Sequence, residues 1–314
     1  MGGTWSVKIP HELANSERLR KTVVDELSRL DLLLSLWRED SEVSRFNAAR
    51  TNDWVGVSRD LAAIVNVARE VSEQTGGAFD ITIAPLVKLW GFGPAKTGVR
   101  DGVAPMAGEI LAAKARVDWR AVEARVSPPA VRKLRAEVAI DLGAIGKGYA
   151  ADAVARILDS AGVKDYLIAI GGELRAQGHS SSGQPWKVGV ETPVADVQRV
   201  LLSLELKEQG ISTSGDYRNF FETGGERYCH EIDPRTGWPI KASRGLAGVS
   251  VIHSSSTRAD ALATGLFVLG TEEGFKRAEE MGLAALFVVR GEGKFEMRMT
   301  KKFATATKAE QAPR

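Results

Sequence analysis

The segment Asp141-Leu-Gly-Ala-Ile-Gly-Lys-Gly-Tyr-Ala-Ala-Asp152 decides how the rest of the chain reads. Gly143, Gly146 and Gly148 let the backbone bend and approach a ligand closely. A strand is expected before them, at Glu137 to Asp141. After them come a helix from about Gly148 to Ser160 and a buried strand at Tyr166 to Ile170, ended by the Gly171-Gly172 turn. The helix N-terminus would offer N–H groups to a phosphate, and Lys147 would add a positive charge there. The segment is not a Walker A loop, which needs Gly where Asp141 stands and Ser or Thr where Gly148 stands. An ordinary glycine-rich strand-to-helix turn explains the spacing equally well.

Toward the N-terminus, Thr4 to Ile9 alternates apolar and polar residues like a half-buried strand. A long helix follows, capped by Asn15 or Ser16, with Leu19, Val23, Leu27, Leu30 and Leu34 along one apolar face. A second helix starts near Ser58 and ends around Gly76-Gly77. Between Trp90 and Arg120 the periodicity fades, and the glycines and prolines there predict a lid or connecting loop. Toward the C-terminus, strands are expected at Trp186 to Glu191, Val200 to Leu206 and Leu246 to His253. Helices follow at about Thr257 to Leu269 and from Thr271. Ala284 to Arg290 and Phe295 to Met299 should form a hairpin turned at Gly291-Glu-Gly293. Mixed runs of this kind argue for an α+β or α/β fold with more than one sheet. The residues from about Thr305 are polar and are expected to fray.

Composition narrows the function. A chain of 314 residues, 44% hydrophobic and 26% charged, can bury a large core. Its net charge of +2, without a long basic run, argues against nucleic acid as a partner. No run of about 18 apolar residues predicts a transmembrane segment, and the start lacks the pattern of a signal peptide. The expectation is therefore a cytoplasmic protein, or a periplasmic one if an export signal precedes Met1. One cysteine, Cys229, cannot form an intrachain disulfide, and the 4 histidines show no zinc-type pairing. Any metal should have oxygen ligands.

Three further segments carry more polar chemistry than packing requires. His230-Glu-Ile-Asp-Pro-Arg-Thr-Gly237 reads as a rigid loop, in which His230 is either a general base or a surface residue beside an Asp-Pro turn. On a helix, Asp260 and Thr264 share one face. They suit a hard cation and a diphosphate, although Thr264 bonding back to the Asp260 carbonyl would explain them too. Asp80, with Phe79, Trp90 and Phe92, could frame a planar ligand, or the aromatics could be core.

Together these segments resemble the ApbE family, the FAD:protein FMN transferases. The similarity runs in order from Met1-Gly-Gly-Thr-Trp5 through Trp37 to Asn47, Gly77 to Asp80 with Trp90-Gly-Phe92, Asp141 to Asp152, Gly171-Gly172, Ser214 to Tyr217 and His230 to Gly237. It ends at Ala259-Asp260 with Thr264. The resemblance implies an α+β fold with FAD in a cleft between two packed lobes, here a single domain over 1–304 with a flexible tail over 305–314. It implies flavin contacts at Met1, Trp37, Ala78, Phe79, Asp80, Asp141, Lys147 and Ile232, and catalysis by His230. Magnesium would be held by Asp260, Thr264 and the main chain of Ala144 and Ala263. Where some relatives carry a second Asp, this chain has Ala263.

The activity so implied is magnesium-dependent transfer of FMN from FAD to a Thr or Ser hydroxyl of an acceptor flavoprotein, with release of AMP. The same site would serve a diphosphatase that releases free FMN and AMP. A non-catalytic FAD-binding protein would need neither the His230 segment nor the Asp260–Thr264 pair.

Overall fold

The computed structural model describes residues 3–94, 104–194, 199–217, 219–223, 226–242, 245–306 and 310–311. Its central sheet has seven antiparallel strands: Trp5–Lys8, Tyr166–Ile170, Glu173–Gln177, Gln209–Gly215, Leu246–His253, Ala284–Arg290 and Phe295–Met299. They lie side by side in chain order, so the elements between them are insertions between sheet neighbours, while Lys301–Ala306 and Glu310–Gln311 follow the last strand. Along Ala284–Arg290, Ala285 and Phe287 enter one core while Ala284, Leu286 and Val288 enter another. That is the period of two a strand imposes, and a nearly continuous apolar run results where both faces are covered.

One face is covered by the helices Ser16–Leu34, Arg59–Gln74, Gly143–Ser160 and Ser256–Leu269. Every residue of Ser256–Leu269 except Arg258 is buried, as expected of a helix apolar nearly all round. The opposite face is covered by the hairpin Trp186–Glu191 and Val200–Leu206, whose Trp186, Val188, Val190, Leu202, Leu204 and Leu206 point inward beside Phe303. A smaller lobe has its own core of Leu86, Trp90, Ile110, Ala113, Tyr228 and Ile232. It is built around the sheet Phe220–Thr223, Glu226–Ile232 and Pro239–Lys241. Among the described residues no helix is long and apolar enough to cross a membrane.

The α+β expectation holds, and most elements fall where periodicity puts them. Four differences have physical reasons. Glu137 to Asp141 is not a strand: Val138 and Ile140 are buried, but the main chain of Ile140 is satisfied by the Asn47 side chain, which donates to its carbonyl and accepts from its N–H, each at 2.8 Å. The next helix begins at Gly143, earlier than expected, because the Asp141 carboxylate accepts the Gly143 N–H at 2.8 Å. The region between Trp90 and Arg120 contains the helix Ala107–Lys114, which buries Ile110 and Ala113 in the smaller core, while 95–103 lie outside the described residues. Finally, Glu310–Gln311, within the polar tail, pairs with Ser203 and Leu202.

Candidate active site

Between the central sheet and the smaller lobe lies a cleft of about 660 Å³. Its floor comes from two crossing helices. Gly143–Ser160 presents its first turns, with Gly143, Ala144 and Lys147 on the cleft wall beside Asp141. Ser256–Leu269 presents Asp260 and Thr264 from one face, as the four-residue spacing requires. The crossing is close because Gly148 has no side chain: a Cβ there would lie 2.2 Å from the Ser256 carbonyl oxygen and 2.8 Å from the Asp260 Cβ. Gly148 therefore serves helix contact and not a phosphate cradle, as the sequence had suggested. Its N–H donates to Asp260 Oδ2 at 2.9 Å.

Asp152, one helical turn beyond Gly148, fixes the start of the Asp260 helix. Its carboxylate accepts from the Ser256 and Thr257 N–H groups at 2.9 and 3.0 Å and from the Ser255 and Thr257 hydroxyls at 2.9 and 2.7 Å. Arg175 pairs with it at 3.1 Å. The Asp152 carboxylate at this N-terminus is favoured by the exposed N–H groups and by the helix dipole. Farther along, Thr264 Oγ1 meets Ser214 Oγ at 2.9 Å and does not turn back onto its own helix. Asp260 is buried, and that burial pushes its carboxyl above the usual range, opposed by the Lys147 ammonium. Lys147 itself is ion-paired with buried Glu173.

Asp80 is a clamp within the wall. Oδ1 accepts from the Thr82 N–H and hydroxyl at 2.7 Å each, and Oδ2 from the Trp119 N–H at 3.0 Å. Burial raises its carboxyl to about 6 despite these bonds. Ala78, Phe79 and Asp80 line the cleft, as does Trp37, which is 67% exposed. Trp90 does not line it. That ring is 1% exposed, packs on Tyr228 at 5.8 Å between centroids and donates its Nε1–H to the Gly237 carbonyl at 2.9 Å. The aromatic core alternative was the right one there.

His230 lies on the strand Glu226–Ile232 and not in a loop. Pairing between that strand and Pro239–Lys241 shifts between Tyr228 and Ile232, a bulge that re-aims side chains. As a result the consecutive residues His230, Glu231 and Ile232 all border the cleft. His230 Nδ1 is 3.2 Å from the Asn219 carbonyl, which can only accept, so Nδ1 carries the proton. The Asp233 turn that follows is rigid, with the Gly237 N–H on the Asp233 carbonyl at 2.7 Å and Arg235 on its carboxylate at 2.9 Å.

Of the residues singled out in the sequence, Trp37, Ala78, Phe79, Asp80, Asp141, Ala144, Lys147, His230, Ile232, Asp260 and Thr264 border this one cleft. Ala263 is fully buried and is not on its wall, and Met1 lies outside the described residues. Asp216 is buried and gripped by Arg290 at 2.5 and 2.8 Å. Glu173, Ser214 and Glu231 also line the cleft; the last two lie inside motifs the sequence singled out but were given no role, and Glu173 lies outside them. Glu173 stands directly after Gly171-Gly172, the only signal that marked it.

This α+β fold is shared with flavin transferases of known structure. The flavin transferase ApbE from Vibrio cholerae superposes with a TM-score of 0.86 at 34% identity, covering 97% of this chain and 96% of that one. The apo flavinyl transferase ApbE from Pseudomonas stutzeri does so with 0.85 at 39% identity, covering 97% and 93%. A protein from Klebsiella pneumoniae (strain 342) named FAD:protein FMN transferase is 40% identical over 310 residues, 97% of this chain and 87% of its own length. The model of the ApbE family matches residues 1–287. The chain belongs to the ApbE family and is an enzyme.

Proposed function

We propose that this enzyme transfers the FMN half of FAD to a threonine or serine hydroxyl of an acceptor protein and releases AMP, with magnesium. The observation that carries the reading is the convergence of Asp260, Thr264, Lys147 and His230 on one cleft of about 660 Å³, within the usual range for a ligand site. Trp37, Ala78, Phe79, Asp80, Asp141, Lys147 and Ile232 would contact the flavin nucleotide.

The residues present fit magnesium. Asp260, Thr264 and the main-chain oxygen of Ala144, which border the cleft, would offer a hard cation an all-oxygen set, whereas Ala263 is buried away from the wall. Asp260 is a buried carboxylate whose burial cost a cation would offset. Among the described residues no three His, Cys, Asp or Glu side chains gather to hold a metal, so the remaining ligands would come from main chain and substrate. When bound, the ion would neutralise the diphosphate and polarise its phosphorus.

With Nδ1–H given to Asn219, His230 keeps the Nε2 lone pair for the proton of the acceptor hydroxyl. The hydroxyl oxygen then bonds to the phosphorus of the FMN half, and the bond to the AMP phosphate breaks. Ser214 and Asp152 hold the Asp260–Thr264 helix in register beneath the reacting group. The test supplies FAD, magnesium chloride and a recombinant acceptor domain and weighs the acceptor after denaturation. A mass gain of one FMN, absent when the acceptor Thr or Ser is Ala, is the expected result. Free FMN and AMP formed at one rate with or without acceptor would make the enzyme a diphosphatase.

A further inference from the structure

Glu231 is a charged side chain on the cleft wall that the chemistry above does not use. It is 9% exposed, and its Oε1 lies 3.7 Å from His230 Nε2. Two consecutive strand residues would normally face opposite sides of a sheet. They meet here because the bulge between Tyr228 and Ile232 sets more residues on this strand than on Pro239–Lys241 opposite. The bulge is fixed from behind by Cys229, whose thiol donates to the Ile240 carbonyl at 3.2 Å. The strand is thus bent where it delivers both groups to one cleft.

We infer that Glu231 is a positioning residue for His230, holding its carboxylate beside Nε2 to stabilise the imidazolium that forms as the acceptor hydroxyl loses its proton. This rests on His230 acting as the base. Before the transfer, Nε2 carries a lone pair and the carboxylate gains little from it. Afterwards Nε2–H bears the proton and the two groups are an ion pair, with Glu231 nearly buried and His230 37% exposed to the cleft. The interaction is therefore stronger after proton transfer than before, which is what accelerates a reaction. The proton passes from hydroxyl oxygen to Nε2, the oxygen–phosphorus bond forms, and AMP departs with the electron pair of the broken bond. Glu231 neither gains nor loses a proton.

The other groups around the pair are accounted for. Burial pushes the Glu231 carboxyl above its usual range, while His230 and Lys147 from the Gly143–Ser160 helix favour its charged form and Asp260 from the Ser256–Leu269 helix opposes it. The Ser214 hydroxyl, on the central sheet, favours the charged form of Glu231, and Glu173 pairs with Lys147. Phe92 presents an edge-on ring to His230 at 6.4 Å, and the Asn219 carbonyl takes Nδ1–H. Glu191 and Tyr217 complete the polar wall. Glu231 is the carboxylate that reaches an ion-pair distance from the His230 ring among the described residues.

The experiment compares wild type, Glu231→Gln, Glu231→Asp and His230→Ala in single-turnover transfer from FAD to a recombinant acceptor domain, with magnesium, from pH 5 to pH 9. Glu231→Gln keeps the size and hydrogen-bonding capacity and loses the charge. It should lower the plateau rate about tenfold or more and move the acid limb of the profile down by about one pH unit. Its FAD affinity, read by flavin fluorescence, should stay within about twofold of wild type. Glu231→Asp, which restores the charge, should recover the position of the acid limb. An unmoved acid limb in Glu231→Gln, or a rate loss matched by lost FAD affinity, overturns the role. His230→Ala separates the two readings: full activity there removes the base itself, whereas an inactive His230→Ala with an unmoved Glu231→Gln limb removes only this inference.

Discussion

Gly148 and Asp260, far apart in the chain, are joined by a hydrogen bond of 2.9 Å from the glycine N–H to the aspartate Oδ2, at the closest crossing of the two helices that floor the cleft. Gly148→Ala would drive a methyl group into the Ser256 carbonyl, 2.2 Å away, and backbone cannot move aside as a flexible side chain can. Overpacking of this kind costs about 1–3 kcal/mol or more. The variant should unfold at lower urea and lose transfer beyond what its folded fraction explains, because Asp260 moves with its helix. Wild-type activity in a fully folded Gly148→Ala protein would show that the crossing does not set the position of Asp260.

Asp260→Asn separates the metal from the fold. Burial raises the folded-state pKa of Asp260 above its unfolded value, so without metal the ionised carboxylate opposes folding as pH rises. Asn keeps an acceptor for the Gly148 N–H and removes the charge. Melting without metal should be unchanged or higher than wild type. Magnesium added with FAD should stabilise wild type, by about 2.7 kcal/mol at one hundred times Kd, and leave the variant unmoved. Equal magnesium-dependent stabilisation of both proteins would relocate the ion.

The Asp80 carboxyl titrates at about 6, above its unfolded value of 3.8, so the native state holds the extra proton between those values. Its contribution to stability is full below the unfolded pKa and is lost as pH rises through 6, by about 3 kcal/mol at about 1.36 kcal/mol per pH unit. Asp80→Asn does not titrate, and its amide would face the Trp119 N–H donor, costing about 1–3 kcal/mol in its own right. Urea unfolding at several pH values should show the stability difference, wild type minus Asp80→Asn, falling between about pH 4 and pH 6. A pH-independent difference would mean that the Asp80 pKa is the same in the folded and unfolded chain.

Trp37 and Trp90 should part company under mutation. Trp90→Ala opens the smaller core between Tyr228 and Phe221 and should cost about 3–5 kcal/mol. Trp37→Leu removes an exposed ring from the cleft wall, so stability should hold while FAD-induced quenching of tryptophan fluorescence shrinks and FAD affinity falls. Quenching that survives intact in Trp37→Leu would take that ring away from the flavin.

What the sequence determined by itself is what depends on local period and on ordered motifs. Trp186–Glu191, Val200–Leu206, Leu246–His253 and the hairpin Ala284–Arg290 to Phe295–Met299 were all legible, because alternation and long apolar runs report faces directly. The shared face of Asp260 and Thr264 was legible for the same reason. The ordered motifs also carried the family and the larger part of the cleft wall. Tertiary structure alone decided the rest. Glu137 to Asp141 looks like a strand because it buries Val138 and Ile140, but pairing is a long-range event, and Asn47 makes the bonds instead. The glycine at 148 has the same composition whether it meets a phosphate or a helix, and only the Ser256 carbonyl resolves which. Trp90 could line a pocket or fill a core, and the Gly237 carbonyl, distant in sequence, assigned it to the core. His230 and Glu231, neighbours with no visible periodicity, face one cleft because the opposing strand is shorter in register, a bulge that no local pattern encodes.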